Sequence, residues 1–299
     1  MFTKDNISVF GGLLVVVFDL LLACIIKFAI FLRNQNRINY RITYVKSKVP
    51  SFKFWCLLAG AIICAFHVTK VIWISLHYSE YSFNTLSEDA GIGYKFRYLW
   101  IPVSIQAYFA FCFIAYGLSK KDSNLERVAM TAAQVSTIFL ALLAIFSHYN
   151  GIAFFWKDIF YPDAEQLERS WYDYYSLVLW IFTIFFGVLT LILNPIKHSY
   201  KIKNFLWYLV GFGVLNTVTF IVALTLKTEF MNIYGTPKAI PGFTDVIYDK
   251  LCFGSIEFYD FLIYLMMNVA GIIFYYFIVS YHVLFYKMKK NKNPNLQFN

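Results

Sequence analysis

The sequence is poor in charged residues and in residues that interrupt helices. Only 14% of its 299 residues are charged and seven are proline, whereas 60% are hydrophobic and 21% are aromatic. Soluble domains carry about 25% charged residues, so this composition excludes an ordinary soluble fold. The net charge of +9 comes from short basic stretches between apolar runs. Such stretches favour a membrane topology signal over a nucleic-acid-binding surface.

Motifs for catalysis and for metal binding are also missing. The five cysteines show neither the spacing of a zinc site nor a disulfide framework, and four of them lie inside apolar runs. No paired carboxylates, activated nucleophile or phosphate-binding loop stand out. We therefore do not expect an enzyme, and a lipid-modifying activity ranks last among the functions considered.

Seven apolar stretches are long enough to cross a membrane. A helix needs about twenty apolar residues for this purpose, and because backbone polar groups find no water in lipid, each stretch is predicted to be helical. The runs are continuous rather than alternating, which argues against a β-barrel. The first run lacks a basic leader and a cleavage site, so we expect it to be retained. The seven predicted helices cover residues 8–32, 53–76, 98–118, 127–147, 172–194, 205–226 and 259–286.

The basic residues predict the orientation of this bundle. The connections on one side hold sixteen Lys or Arg against two acids, and those on the other side hold eight against fourteen. Since the basic side faces the cytoplasm, the N-terminus lies outside and the segment 287–299 forms a basic cytoplasmic tail. The prediction is a single all-α, seven-helix domain over residues 1–299, in a plasma membrane or a bacterial inner membrane. Lipid is its expected partner, nucleic acid is not, and homo-oligomerisation stays open.

Three ionisable residues of predicted helices 1 and 2 fall well inside the membrane. Asp19 lies near the middle of helix 1, and His67 and Lys70 lie three residues apart on one face of helix 2. An ionisable residue at such a depth is by default a hypothesis for a functional site. Counting residues along the two helices places the three at similar depths, so they are predicted to form a polar cluster. The alternative is a structural ion pair between helices 1 and 2.

The remaining polar residues support less specific readings. Gln134, Asn216 and Asn268 are typical of interhelical hydrogen bonds. His198 and His282 fall near the inner membrane surface, without the within-helix spacing of a haem protein.

Four helices carry segments that resemble a known family. Helix 2 reads GAIICAFHVTKVIWI (60–74), helix 3 opens with FRYLWIPVS (96–104), helix 6 contains VGFGVLNTVT (210–219), and helix 7 contains LIYLMMNVAGIIF (262–274). In this order they are similar to segments of the microbial rhodopsins, especially the proteorhodopsin branch: G-I-A-F-x-H, F-R-Y-I-D-W-L-L-T, V-G-W-A-I-Y-P-A-G-Y and L-I-Y-N-L-A-D-F-V-N-K-I-L-F. His67 falls on the helix-2 histidine of that family.

The departures from the family pattern concern its photochemistry. Ile272 stands where the family has the retinal lysine, Asn268 replaces its carboxylate partner, and Trp100 replaces the helix-3 counterion. Phe212 and Asn216 replace the tryptophan and the proline of helix 6. A protonated Schiff base needs both a lysine and a carboxylate. Covalent retinal and light-driven pumping are therefore not expected.

The resemblance still implies a central cavity between helices 3, 6 and 7. On each helix, matched residues lie three or four positions apart and so share a face. No cofactor is expected to be covalently attached there. The cavity would hold a non-covalent apolar ligand such as retinal, a few waters or only packed side chains. The predicted pocket residues are Arg97, Trp100, Ser104, Phe212, Asn216, Asn268 and Ile272.

Three functional readings follow from these patterns. The leading one is a rhodopsin-like protein without covalent retinal, acting as a sensor, receptor or ligand-binding module. The alternative is a small ion or proton-coupled transporter or channel that uses Asp19, His67 and Lys70. A third is a passive subunit of a membrane complex.

Overall fold

The computed structural model describes residues 4–39, 51–76, 105–146, 171–193, 196, 198–226 and 246–292. Every regular element within these ranges is a helix, so the predicted all-α class is confirmed for that part of the chain. A π-helix, Ile247–Leu251, precedes the last α-helix. The α-helices are α1 (Lys4–Asn39), α2 (Phe52–Leu76), α3 (Ile105–Leu118), α4 (Asn124–Phe146), α5 (Trp171–Leu193), α6 (Ile202–Leu226) and α7 (Ile256–Lys292).

Two helices extend furthest beyond the apolar stretches from which they were predicted. α1 covers residues 4–39 rather than 8–32, and α7 continues to Lys292, into the segment predicted as a basic tail. Hydrophobicity marks only the part of a helix suited to lipid. The backbone hydrogen bonds can continue where lysine and asparagine side chains meet water. The predicted start of helix 3, residues 98–104, lies outside the described residues.

Three helices in the described part are long and apolar enough to cross a membrane: Phe10–Leu32 within α1, α4, and Glu257–Tyr286 within α7. The outward side of α1 is covered by large apolar side chains, with Phe18 60%, Leu21 59% and Ile25 62% exposed. Apolar surface of this extent is unusual for a soluble monomer. Length and surface together indicate a membrane protein.

α4 is the helix around which the others pack. It contacts α1, α3, α5, α6 and α7. Of its most apolar window 67% is buried, against 11% in α1 and 22% in α7. Small side chains make this crowding feasible, because they let neighbouring backbones approach closely. The small buried residues of α4 are Ala129, Ala132, Ala133, Ser136 and Ala144.

The start of α4 is fixed by side-chain capping. Ser123 Oγ accepts a hydrogen bond from the backbone N–H of Glu126 at 3.1 Å, and the Glu126 carboxylate accepts one from the N–H of Asp122. The Ser-x-x-Glu spacing is that of a capping box. Lys53 of α2 pairs with the same carboxylate at 2.7 Å. The N-terminus of α4 is thereby tied to α2.

Two glycines set how closely α1 and α5 approach α4. Gly12 of α1 lies against the backbone carbonyl of Ala144, and Gly187 of α5 lies against the side chain of Thr137. A Cβ atom at either glycine would overlap these α4 atoms. The two contacts make α1, α4 and α5 one tightly packed layer.

We expect Gly187→Leu to destabilise the bundle by about 1–3 kcal/mol or more, because the added side chain overpacks the α4–α5 contact. Gly213→Leu is the matched control, since nothing lies within 4 Å of a Cβ at that position. Thermal unfolding in detergent should show a lower midpoint for the Gly187 variant only. Equal midpoints for the two variants would contradict the packing described here.

Candidate functional site

Asp19 is a buried carboxyl group in the middle of α1. Its side chain is 1% exposed, whereas Phe18 beside it is 60% exposed. Among the described residues, neither carboxylate oxygen has a hydrogen-bond partner. Because a buried carboxylate without donors is strongly disfavoured relative to water, a bound proton, a cation or the predicted partners His67 and Lys70 would be needed to compensate its charge.

The packing of α1 indicates which residues lie at the level of Asp19. Gly12 lies against Ala144 of α4, and Lys27 Nζ donates to the Ile192 carbonyl of α5 at 3.0 Å. Counting seven residues from the first contact along antiparallel α4 leads to Thr137. Counting eight residues back from the second contact along α5 leads to Ile184, next to Thr183. Asp19 therefore lies at the depth where α4 and α5 carry buried hydroxyl groups.

A line of buried polar side chains runs between α4 and α5. Gln134 Nε2 donates to the Thr190 carbonyl at 3.2 Å, and the Gln134 Oε1 atom has no hydrogen-bond partner among the described residues. The hydroxyls of Thr137, Thr183 and Thr190 donate to carbonyls of their own helices. Their oxygens therefore keep lone pairs that can accept a hydrogen bond. We name Asp19, Gln134, Thr137, Thr183 and Thr190 the polar seam.

The seam differs from the cluster predicted from sequence. α1 packs mainly against α4 and α5, and α2 packs mainly against α3. The backbones of His67 and Lys70 lie on α2, but their side chains lie outside the described residues. The Asp19, His67 and Lys70 cluster stays a prediction.

Four of the seven predicted pocket residues lie in the described part of the chain. Asn216 Nδ2 approaches Asn268 Oδ1 at 3.4 Å, which joins α6 to α7. Phe212 is 1% exposed, and Gly271 of α7 lies directly against its ring. Ile272 is half-buried. Arg97, Trp100 and Ser104 lie outside the described residues, so the seven-residue pocket as a whole stays a prediction.

Aromatic rings fill the space around Phe212. Its ring stacks on Phe139 at 5.8 Å and on Tyr208 at 5.6 Å, and Tyr108 meets its edge at 6.1 Å. The Tyr208 hydroxyl donates to the Gly271 carbonyl at 3.0 Å. The space around Phe212 is therefore filled by packed side chains, which is one of the three contents considered for the predicted cavity. Phe139 belongs to α4, a helix outside the predicted pocket.

Sequence reasoning missed two further polar sites. His198 and His282 stack with their ring centroids 4.3 Å apart, although the sequence placed them only at the same membrane surface. Lys53 Nζ, besides its pair with Glu126, donates to the Ser119 carbonyl at 2.8 Å and lies 5.2 Å from the Tyr116 ring centroid. The Ser-x-x-Glu motif at Ser123 was a local signal for the second site. No local signal existed for the histidine pair, because its members are far apart in sequence.

No group of three or more His, Cys, Asp or Glu side chains in the described ranges is arranged to hold a metal ion. No protein-family model, curated protein or solved structure matches the chain. The resemblance to microbial rhodopsins therefore stays a prediction based on its four sequence segments.

Proposed function

We propose that this chain is a multi-pass membrane protein with seven spans, N-terminus outside, and that it moves protons or small cations through the polar seam at Asp19. Three helices of membrane-spanning length support the first part. Shorter apolar helices at Phe52–Phe66, Ile105–Leu118 and Leu177–Leu193 add to it. The basic residues concentrated in alternate connections give the orientation.

Fusion reporters test this topology. We expect green fluorescent protein fused after residue 299 to fluoresce in the cytoplasm, and alkaline phosphatase fused after residue 150 to be active outside. A phosphatase fusion after residue 122 should be inactive, because that basic connection faces inward. Phosphatase activity at residue 299 would contradict the seven-span count.

The single observation that carries the transport proposal is the buried carboxyl of Asp19, which has no hydrogen-bond partner among the described residues. A buried carboxyl in an apolar helix costs stability, and no described side chain offsets that cost by bonding to Asp19. Such groups in membrane proteins mark proton relays and ion pathways. The side chain is buried and lies at the depth of the seam hydroxyls, so proton or cation binding there changes the charge inside the protein.

The neighbouring seam supplies the groups that a passing cation or water would need. The amide oxygen of Gln134 has no hydrogen-bond partner, and the threonine hydroxyls offer further lone pairs. Oxygen atoms of these types bind hydronium, water and alkali cations by ion–dipole attraction. In contrast, packed aromatic rings occupy the space around Phe212. These features favour the seam over the predicted pocket as the place where the protein acts.

We expect Asp19→Asn to reduce proton or cation flux by at least tenfold in liposomes, because the amide has a similar shape but cannot exchange a proton or balance a cation. Asp249→Asn, at an exposed position before α7, is the matched control and should leave flux unchanged. A pH-sensitive dye and a potassium-selective dye in parallel vesicles distinguish proton from cation movement. Flux no greater than in empty liposomes, or equal flux in both variants, would contradict the proposal.

A rhodopsin-like sensor without covalent retinal is the second candidate. The contact between Asn216 and Asn268 supports it, because both residues occupy positions at which the family lines its cavity. In this candidate, repacking of the rings around Phe212 carries the signal between α6 and α7. Neither candidate needs an enzymatic step.

A spectrum with added retinal tests the retinal-free character of the protein. We expect no visible absorption band in the purified chain, because Ile272 and Asn268 occupy the positions of the family's lysine and carboxylate. Lys70→Arg is the informative variant. The sequence places Lys70 inside the outer half of the bundle, and a lysine could form a Schiff base with retinal there, whereas an arginine could not. A visible band that disappears in this variant would contradict the prediction.

A further inference from the structure

His198 and His282 form a buried pair at the end of the bundle that carries the basic connections. His198 lies in the short connection between α5 and α6, and His282 lies in α7. Their rings are nearly parallel, with an interplanar angle of 8° and centroids 4.3 Å apart. His198 is 7% exposed and His282 is 1% exposed. The stack therefore holds the α5–α6 connection against α7.

The contact with Thr131 favours one tautomer of His198. The Thr131 hydroxyl lies 2.8 Å from the Arg127 carbonyl, to which it can donate. A hydroxyl has a single proton, so while Thr131 donates it to that carbonyl, its oxygen accepts in the 3.3 Å contact with His198 Nδ1. In this arrangement Nδ1 of His198 carries the ring proton, and Nε2 keeps a bare lone pair. That Nε2 atom is buried and has no hydrogen-bond partner among the described residues.

His282 is equally unsatisfied, since neither of its ring nitrogens has a hydrogen-bond partner in the part of the chain that the structure describes. Three of the four nitrogens in the pair are therefore buried without a partner among the described residues. A metal ion does not explain this arrangement. The lone pair of an imidazole lies in the plane of its ring, and two parallel rings cannot both direct a lone pair at one ion.

A proton is the ligand that the pair can bind, and binding it destabilises the buried stack. Each neutral imidazole has one basic nitrogen, and a proton on either ring would place a cation where burial makes charge costly. The groups around the stack do not compensate such a charge. Tyr281 meets the His282 ring edge-on at 4.9 Å, and the Tyr200 hydroxyl contacts Ser280 Oγ at 3.1 Å. On the α4 side, Thr131 is neutral.

Among the described residues, the charged groups nearest in sequence to these contacts are paired with another residue or exposed. Arg127, one turn before Thr131, lies 3.8 Å from the Asp122 carboxylate. Lys201 and Lys203, which follow His198, are exposed cations. No carboxylate of the described residues is recorded in contact with either ring. Burial, and secondly the neighbouring His282, lower the pKa of His198 well below its usual value.

We propose that His198 and His282 form a proton-binding latch, which is closed while both rings are neutral and opens when the pair binds a proton. Opening separates the α5–α6 connection from α7 and exposes the bare nitrogen of His198 to water. The latch does not depend on transport through Asp19, because it lies at another place in the bundle and needs only a change of pH.

The direction of the pH effect follows from linkage. A histidine whose pKa is lower in the closed state than in the open state binds fewer protons when closed. The closed state is therefore fully favoured above the ordinary histidine value of about 6.5 and loses stability as the pH falls below it. For each proton taken up on opening, the open-to-closed ratio rises by up to about tenfold per pH unit.

Hydrogen–deuterium exchange of the full chain in lipid nanodiscs tests the latch. After correction for the intrinsic exchange rate, we expect peptides that cover 196–204 and 278–286 to lose protection as the pH falls from 7.5 to 5.5. The double variant His198→Phe/His282→Phe keeps two flat, stacking rings that cannot be protonated, so its protection should not change with pH. His148→Phe is the matched control, because the sequence predicts His148 near the outer membrane surface, away from the basic end, and this variant should behave like the wild type.

Nitrogen-15 histidine NMR of the wild-type chain gives a second measurement that needs no variant. At pH 7.5 it should show His198 as the Nδ1–H tautomer. As the pH falls, the histidine pair should take up a proton over the same pH range in which the two peptides lose protection from exchange. Equal pH dependence in the double variant and the wild type would overturn the proposal. Rings that stay neutral and stacked at pH 5 would overturn it as well.

Discussion

The close approach of α1 and α5 to α4 is the contact on which the rest of the bundle depends. It exists because Gly12 and Gly187 have no side chain where Ala144 and Thr137 lie. In an apolar environment the hydrophobic effect does little to drive helices together, so close packing of small residues has to supply much of the attraction. α4 provides such surfaces on several sides, and its neighbours are positioned by them.

This packing explains why a polar seam can exist inside an apolar protein. Gln134 and Thr190 form their hydrogen bond across the α4–α5 interface, while the threonine hydroxyls bond to carbonyls of their own helices. Asp19 of α1 lies at the same depth, buried and with no hydrogen-bond partner among the described residues. The seam thus combines hydrogen bonds that hold the helices in register with polar atoms that no described residue satisfies, on Asp19 and on the Gln134 amide oxygen. The histidine stack at the basic end repeats this combination, since one of its nitrogens contacts Thr131 and three have no hydrogen-bond partner among the described residues.

Several parts of the structure could be predicted from residues alone. The helical class follows from apolar runs of about twenty residues, and the depth of Asp19 follows from its position within such a run. The facing of Asn216 and Asn268 was expected from the resemblance to the microbial rhodopsins, and in the structure the two side chains lie 3.4 Å apart. The contact of Phe139 with Phe212 was not expected. A helix that is apolar on all sides has no periodic sequence pattern that identifies the neighbouring helix.

The sequence by itself determined that the chain forms apolar helices, where they lie along it, and which ionisable residues are carried into them, because hydrophobic length and charge are local properties. Only the tertiary structure decided which helices are neighbours. It placed α1 on α4 and α5, surrounded Phe212 with rings from three helices, and brought His198 and His282 together. Which helices become neighbours depends on how side-chain shapes fit across the helix interfaces, above all at glycines and alanines. The residues that meet at these interfaces are distant in the chain, so no local sequence pattern predicts their contact.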